Sequence, residues 1–181
     1  EDVLPELLQI INSGPVTDPQ EAQGLQWLSA WKAAGTKRKE VTAGSHTYAD
    51  ADAVRVMDAW WPLLIQGEFQ PGLGSDLYNA LAANLSIDES PSAGHGPTGS
   101  HAGSSFQYGW WSYADKDLRK VLGQSVQGPL AQTYCGGGQL AACRDMLLST
   151  LKQAVATPAT TVYPGDDGGC SAGDQWCADS I

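Results

Sequence analysis

Four cysteines, Cys135, Cys143, Cys170 and Cys177, all fall in the last third of this 181-residue chain, as two close pairs. An even count at these spacings suggests the bridges Cys135–Cys143 and Cys170–Cys177, although four cysteines permit three pairings. In the chain-entropy account each small loop contributes about 2–3 kcal/mol, less any strain. Disulfides imply an oxidising compartment, so the sequence predicts a secreted, extracellular chain. A zinc site would want thiolates in Cys-x-x-Cys hooks, and neither pair has that spacing. Free buried cysteines are the remaining alternative.

The rest of the composition narrows the class. Hydrophobic residues make up 42% and charged residues 17%, a balance too apolar for a disordered segment. Ten Lys and Arg stand against twenty Asp and Glu, for a formal charge of -10. That excess argues against nucleic acid and anionic membrane as partners, since both need clustered basic residues. No apolar run approaches the roughly 20 residues of a membrane helix. The opening Glu1-Asp2-Val3-Leu4-Pro5-Glu6 is acidic and apolar rather than basic, so it does not read as a signal peptide. It reads as a cut inside a longer polypeptide.

Hydrophobic periodicity predicts a mainly α chain with long ordered loops and few strands. A short helical pattern covers Leu4–Ile11 and ends at Asn12-Ser13-Gly14-Pro15. A helix is expected over Asp18–Ala34, with Asp18 as cap, Pro19 in the first turn, an apolar stripe of Leu25, Leu28 and Trp31 beside Trp27, and Gly35 as the stop. Thr36–Thr47, with Lys37-Arg38-Lys39, reads as a solvated loop. A second long helix runs from about Tyr48 toward Gln66 on Val54, Met57, Trp60, Trp61 and Leu64, and Pro62 predicts a kink or break near Trp61. Ser75–Leu85 reads as a helix capped by Ser75. Helices are also expected over Tyr113–Leu122 and, strongly, over Gln139–Val155. Residues 86–105 form a Gly/Ser/Pro/His-rich loop, and residues 157–181 a cysteine-containing tail. The best strand signal is Thr160-Thr161-Val162-Tyr163. No internal repeat is visible, and residues 1–181 read as a single helical segment or domain.

Few residues announce chemistry. There is no G-x-S-x-G elbow, phosphate-binding loop or dinucleotide fingerprint. Gly136-Gly137-Gly138 precedes a helix and could present backbone N–H groups to an anion, but it lacks a preceding strand or following lysine and reads better as an entry from a disulfide into a helix. His95 and His101 share one loop with Asp88 and Glu89 nearby, yet nothing in a Gly/Ser/Pro loop holds two imidazoles for a metal. Asp166, Asp167 and Asp174 lack the alternating ladder of a calcium loop, and His46 with Asp50 and Asp52 reads as the polar entry to a helix. No metal, cofactor or catalytic residue is therefore assigned. The seven tryptophans say more. Trp60-Trp61 and Trp110-Trp111 are adjacent pairs whose rings must point in different directions. Such pairs usually brace a core, and they can also line an apolar pocket, so all four are candidate pocket-lining residues.

Several blocks of the sequence resemble the penicillin acylase family. They are Ala51-Asp52-Ala53-Val54 through Asp58-Ala59-Trp60-Trp61-Pro62-Leu63-Leu64, and Ser105-Phe106-Gln107-Tyr108-Gly109-Trp110 followed by Lys116-Asp117-Leu118. Two more are Tyr134-Cys135-Gly136-Gly137-Gly138-Gln139-Leu140 with Cys143-Arg144, and Gly173-Asp174-Gln175-Trp176-Cys177. Together they cover most of the chain from about Gln23 and are similar to the late β-subunit region of large secreted actinobacterial members. The resemblance implies an αββα N-terminal-nucleophile amidohydrolase made as a self-cleaving precursor. The serine freed at the start of the β subunit attacks the amide carbonyl, with its own α-amino group as base. Nothing here matches that serine, so the nucleophile is expected on another part of the polypeptide. Where many relatives carry an acidic Asp-x-Asp-x-Asp-Gly loop, this chain reads Lys39-Glu40-Val41-Thr42-Ala43-Gly44-Ser45-His46, and no calcium is expected there.

The expected role is then structural and pocket-supporting. The expected partners are the remaining α and β segments of the same precursor and an N-acyl small-molecule substrate. The alternative is a free-standing extracellular binding domain that uses exposed aromatic residues on glycan or peptide. An independent hydrolase built on His95 or His101 lacks a nucleophile arrangement.

Overall fold

The computed structural model describes residues 3–85, 87, 109–165 and 170–179. Its elements are α1 (Leu4–Ile11), α2 (Pro19–Ala33), α3 (Ala51–Leu73), α4 (Ser75–Asn84), α5 (Trp110–Val121), a 3-10 turn over Cys135–Gly138, α6 (Leu140–Ala156), α7 (Ala159–Val162) and α8 (Gln175–Asp179). The fold is mainly helical, and no strand occurs among the described residues; an isolated antiparallel bridge joins Glu40 to Tyr48. His95, His101, Asp88, Glu89, Asp166 and Asp167 lie outside the described residues.

Helix α6 is the hub, packing on α1, α2 and α3 and on the Cys135 turn. Its Leu147, Leu151 and Ala154 are fully buried against Leu7, Ile10 and Ile11 of α1, Leu28 of α2, and Val54, Trp60 and Leu64 of α3 in one core. These positions recur every three or four residues, so each helix offers an apolar stripe to the same centre. Arg144 ties α6 to the end of α1, donating from Nε to the Ile11 carbonyl and from Nη2 to the Gly14 and Pro15 carbonyls. Asp18 caps α2 by accepting from the Gln20 and Glu21 N–H groups, and its other oxygen accepts from the Lys152 ammonium on α6. Lys152 and the capping bonds hold the Asp18 carboxyl below its ordinary range, and Asp18 raises Lys152 in return.

Three local expectations are corrected. Helix α3 does not break at Trp61 but runs 23 residues with Pro62 and Pro71 inside. A proline removes one backbone donor, and the buried Val54, Val56, Trp60, Leu64, Ile65 and Phe69 supply enough packing to carry the helix across that loss. Ser75 does not cap α4. It is the first helical residue, and Gly74 at φ 78° and ψ 155° makes the corner between α3 and α4, a conformation a side chain would resist. Thr160-Thr161-Val162 is helical, not extended, forming most of α7 after Pro158. With no strand among the described residues to pair with, β propensity has nothing to act on. Instead Tyr163, just past α7, is buried and its hydroxyl donates to Asp58 at 2.6 Å.

The cysteines pair as their spacing suggested, Cys135 with Cys143 across a Cα separation of 4.8 Å and Cys170 with Cys177 across 5.4 Å. No described helix is long and apolar enough to cross a membrane.

Candidate functional site: an aromatic-walled cavity and a buried carboxyl pair

At the far end of α3 the chain encloses an open cavity of about 230 Å³. Phe69 and Leu73 come from α3, Leu81 and Leu85 from α4 and its end, Trp110 and Tyr113 from α5, and Leu130 and Tyr134 from the connection that follows. The Trp110 ring is held in place by its indole N–H, which donates to the Leu85 carbonyl at 3.0 Å. Phe69 stands between Trp110 and Tyr134, with ring centroids 5.2 Å away on either side, and Tyr78 and Tyr113 complete the cluster at 5.9 and 6.4 Å from Trp110. Tilted and edge-on rings at these distances make a firm wall. Among the described residues the lining offers no serine, cysteine, histidine or carboxylate. Such a surface can take an apolar group by removing it from water.

The four candidate tryptophans separate by place. Trp110 lines the cavity and is 2% exposed. Trp60 is fully buried between α3 and α6, its indole N–H donating to the Thr150 hydroxyl at 2.9 Å. Trp61 is half-buried and donates to the Ile87 carbonyl, and Trp111 is half-buried against the core. The two adjacent pairs thus split, as helical geometry demands, between a buried ring and a peripheral one.

Directly behind the cavity wall lie two acids that sequence reading passed over. Glu68 precedes Phe69 and is completely buried; Asp117 of α5 is 1% exposed. Both Asp117 oxygens accept backbone N–H groups from the Cys135 turn, Oδ1 from Tyr134 at 2.8 Å and Oδ2 from Cys135 at 2.7 Å. These N–H groups belong to Tyr134 and Cys135, ahead of the glycine triplet, and the anion they meet is internal. Burial pushes the Glu68 carboxyl well above its ordinary range, and the negative charge of Asp117 and a hydrogen bond to it push the same way. As two carboxylates the pair has no hydrogen to share, and neither Glu68 oxygen then has a partner; once protonated, Glu68 becomes the donor and Asp117 the acceptor. The signal was present in the pattern: Trp60, Leu64 and Glu68 follow at intervals of four, so Glu68 continues the buried stripe.

A third polar cluster fixes the tail. Arg38 forks onto both oxygens of Asp58, Tyr163 donates to the same carboxylate, and Gln175 donates from Nε2 to the Tyr163 hydroxyl and to the Ala51 carbonyl. Burial, followed by the Asp58 charge, raises Tyr163 far above its usual range, so it stays a donor. In the 40–48 loop, the Glu40 carboxylate accepts the Gly44 and His46 N–H groups at 2.9 and 2.8 Å, bonds that lower its own titration. His46 is stacked flat on Trp176 of the disulfide-closed tail, with centroids 3.6 Å apart and planes within 5°. No group of three or more metal-ligating side chains occurs among the described residues.

Compared with models of protein families, with curated proteins and with solved structures, the chain finds no match in any of the three.

Proposed function

We propose that this chain is the helical, late β-subunit portion of a secreted penicillin-acylase-like amidohydrolase, an αββα enzyme whose nucleophilic serine lies on another part of the polypeptide. One observation carries the reading. The sequence blocks that resemble the family are far apart along the chain, yet they bond directly to one another. Gln175 of the last block donates to Ala51 of the first. Asp117 of the second accepts from Tyr134 and Cys135 of the third, and Cys135 is bridged to Cys143 within that third block. Residues 105–108 of the second block lie outside the described residues.

In this reading the helices brace the catalytic layers supplied by the other segments, and the Trp110 cavity shapes a place for an apolar acyl group. The two disulfides favour an extracellular location. The alternative, a free-standing extracellular domain that binds glycan or peptide through exposed aromatic residues, has less support, because all seven tryptophans are buried or half-buried.

The test is an N-acyl substrate panel assayed on the protein together with any chains that accompany it. Amide cleavage is expected. Trp110→Ala should lower kcat/KM for long or aromatic acyl groups by on the order of tenfold, mainly through KM, while leaving short ones nearly unchanged. Absence of cleavage of every N-acyl compound by the assembled protein would overturn the enzymatic reading, and equal effects on all acyl groups would remove Trp110 from the pocket.

A further inference from the structure

We propose that the Cys170–Cys177 bridge is a redox-sensitive latch: closed, it docks the tail onto the 40–48 loop, and a small thiol that reduces it lets both go. The two disulfides differ in access. Cys135 and Cys143 are fully buried in the core, whereas Cys170 and Cys177 are half-buried in the tail. A thiolate has to reach a sulfur to open a bridge, so the tail bridge is the one available for exchange while the fold is intact.

The bridge closes around an element that cannot hold itself. Helix α8 has five residues, well short of the length at which a helix stands alone. Beside the bridge, the Asp174 carboxylate accepts the Cys177 N–H at 2.9 Å, and the Gly173 N–H donates to the Tyr163 carbonyl at 2.7 Å. From α8 itself, Gln175 reaches Tyr163 and Ala51, and Trp176 lies flat on His46.

The other side of the latch is strained. His46 stands at φ 56°, a left-handed backbone that a residue with a side chain resists. Its N–H donates to the Glu40 carboxylate at 2.8 Å, beside that of Gly44 at 2.9 Å, and its ring is stacked 3.6 Å from the Trp176 indole. Strain of this kind persists only while the surroundings hold it. When Trp176 leaves, the loop tip relaxes and Glu40 gives up its two N–H groups. Redox state at the bridge is thereby passed to a loop that shares no covalent link with it.

The exchange balances. A thiolate attacks one sulfur of the bridge, forming a mixed disulfide and expelling the other cysteine as thiolate. A second thiolate attacks the mixed disulfide and frees the first cysteine, so two thiols end as one disulfide and the two cysteines take up the electrons and protons. In an oxidising compartment the latch is closed, and it opens where free thiols collect.

The experiment treats the protein as isolated with reduced glutathione under native conditions. Alkylation and mass spectrometry map the thiols formed, and proton NMR follows His46, its ring signals assigned with His46→Phe. Stacked on an indole, the imidazole protons sit upfield; bonded to a carboxylate, the Gly44 and His46 amide protons sit downfield. Cys170 and Cys177 should be alkylated while Cys135 and Cys143 stay bridged, with loss of both sets of shifts in step. Equal alkylation of all four cysteines, or a tail bridge that resists until the core unfolds, would overturn the proposal. So would selective reduction that leaves the His46 shifts in place. Trp176→Leu with both bridges closed should lose the downfield amide shifts without any reductant, and their retention would rule out coupling through the stack.

Discussion

Trp60 and Thr150 show what a single polar contact can do in an otherwise apolar seam. The indole N–H is buried and finds its acceptor in the Thr150 hydroxyl, which is itself anchored to the Met146 and Leu147 carbonyls one turn back. Thr150→Val keeps the shape and removes the acceptor, so it should destabilise the fold by about 1–3 kcal/mol in denaturant unfolding, the cost of a stranded buried donor. An unchanged midpoint would mean that the bond contributes nothing. Gly136 is a sharper case. Its φ is 57°, and a Cβ there would fall onto the backbone of Cys143. Gly136→Ala should therefore cost more than the about 1–2 kcal/mol of a left-handed alanine and should slow formation of the Cys135–Cys143 bridge on refolding, read by thiol titration. Residues of this kind were only partly legible in the sequence. The Trp60 ring was readable as core because it sits in a helical stripe. The partnership of Glu68 with Asp117 was not, because it depends on two acids 49 positions apart meeting through the fold.

At the scale of elements, the helices follow their local chemistry closely. Asp18-Pro19 opens α2 and Gly35 ends it, as the residue types require. The start of α5 at Trp110, three residues before the expected Tyr113, was hidden because its cap is Gly109, which carries no side chain to advertise it. Helix α3 departs from expectation because tertiary burial outweighed a proline, and α7, which buries none of its residues, because no strand among the described residues pairs with it. The clasp between α2 and α6 makes a pH prediction. Asp18 titrates low, so its contribution is present above the ordinary carboxylate range and is lost as pH falls through its folded value. Lys152 titrates high, so its share is lost only in alkali. Asp18→Asn keeps a cap for α2 and loses the ion pair. It should leave helix content by circular dichroism intact and abolish the part of the acid transition that responds to salt; an undiminished salt response would assign that response to other charges. The tail is held differently, by Cys170–Cys177, by the His46–Trp176 stack and by Gln175. Replacing Cys170 and Cys177 together by serine should remove about 2–3 kcal/mol of loop-closure stabilisation and free Trp176, seen as a change in tryptophan fluorescence while the α1–α3 and α6 core stays folded.

Over the whole molecule, the interior is well closed around α6, while some apolar surface is left outside. Leu77 and Leu81 on α4 are 51% and 39% exposed, Leu81 lies at the cavity rim, and Val41 is 63% exposed on the 40–48 loop. A helical unit with a good core and an uncovered apolar edge fits a piece built to lie against other chains, which is what the proposed place in an amidohydrolase requires. The mainly helical fold and both disulfides were legible from the sequence in its helical stripes and cysteine spacing. The cavity was legible only at Trp110, since the rest of its wall draws on α3, α4, Tyr113 and the segment before Cys135, which only the fold brings together. Native mass spectrometry of the protein as isolated, followed by the same sample denatured, tests the central claim most directly. The expected result is a complex that separates on denaturation into this chain and larger companions, one of which begins with serine. A single compact species of this chain alone, unchanged in mass by denaturation, would contradict it.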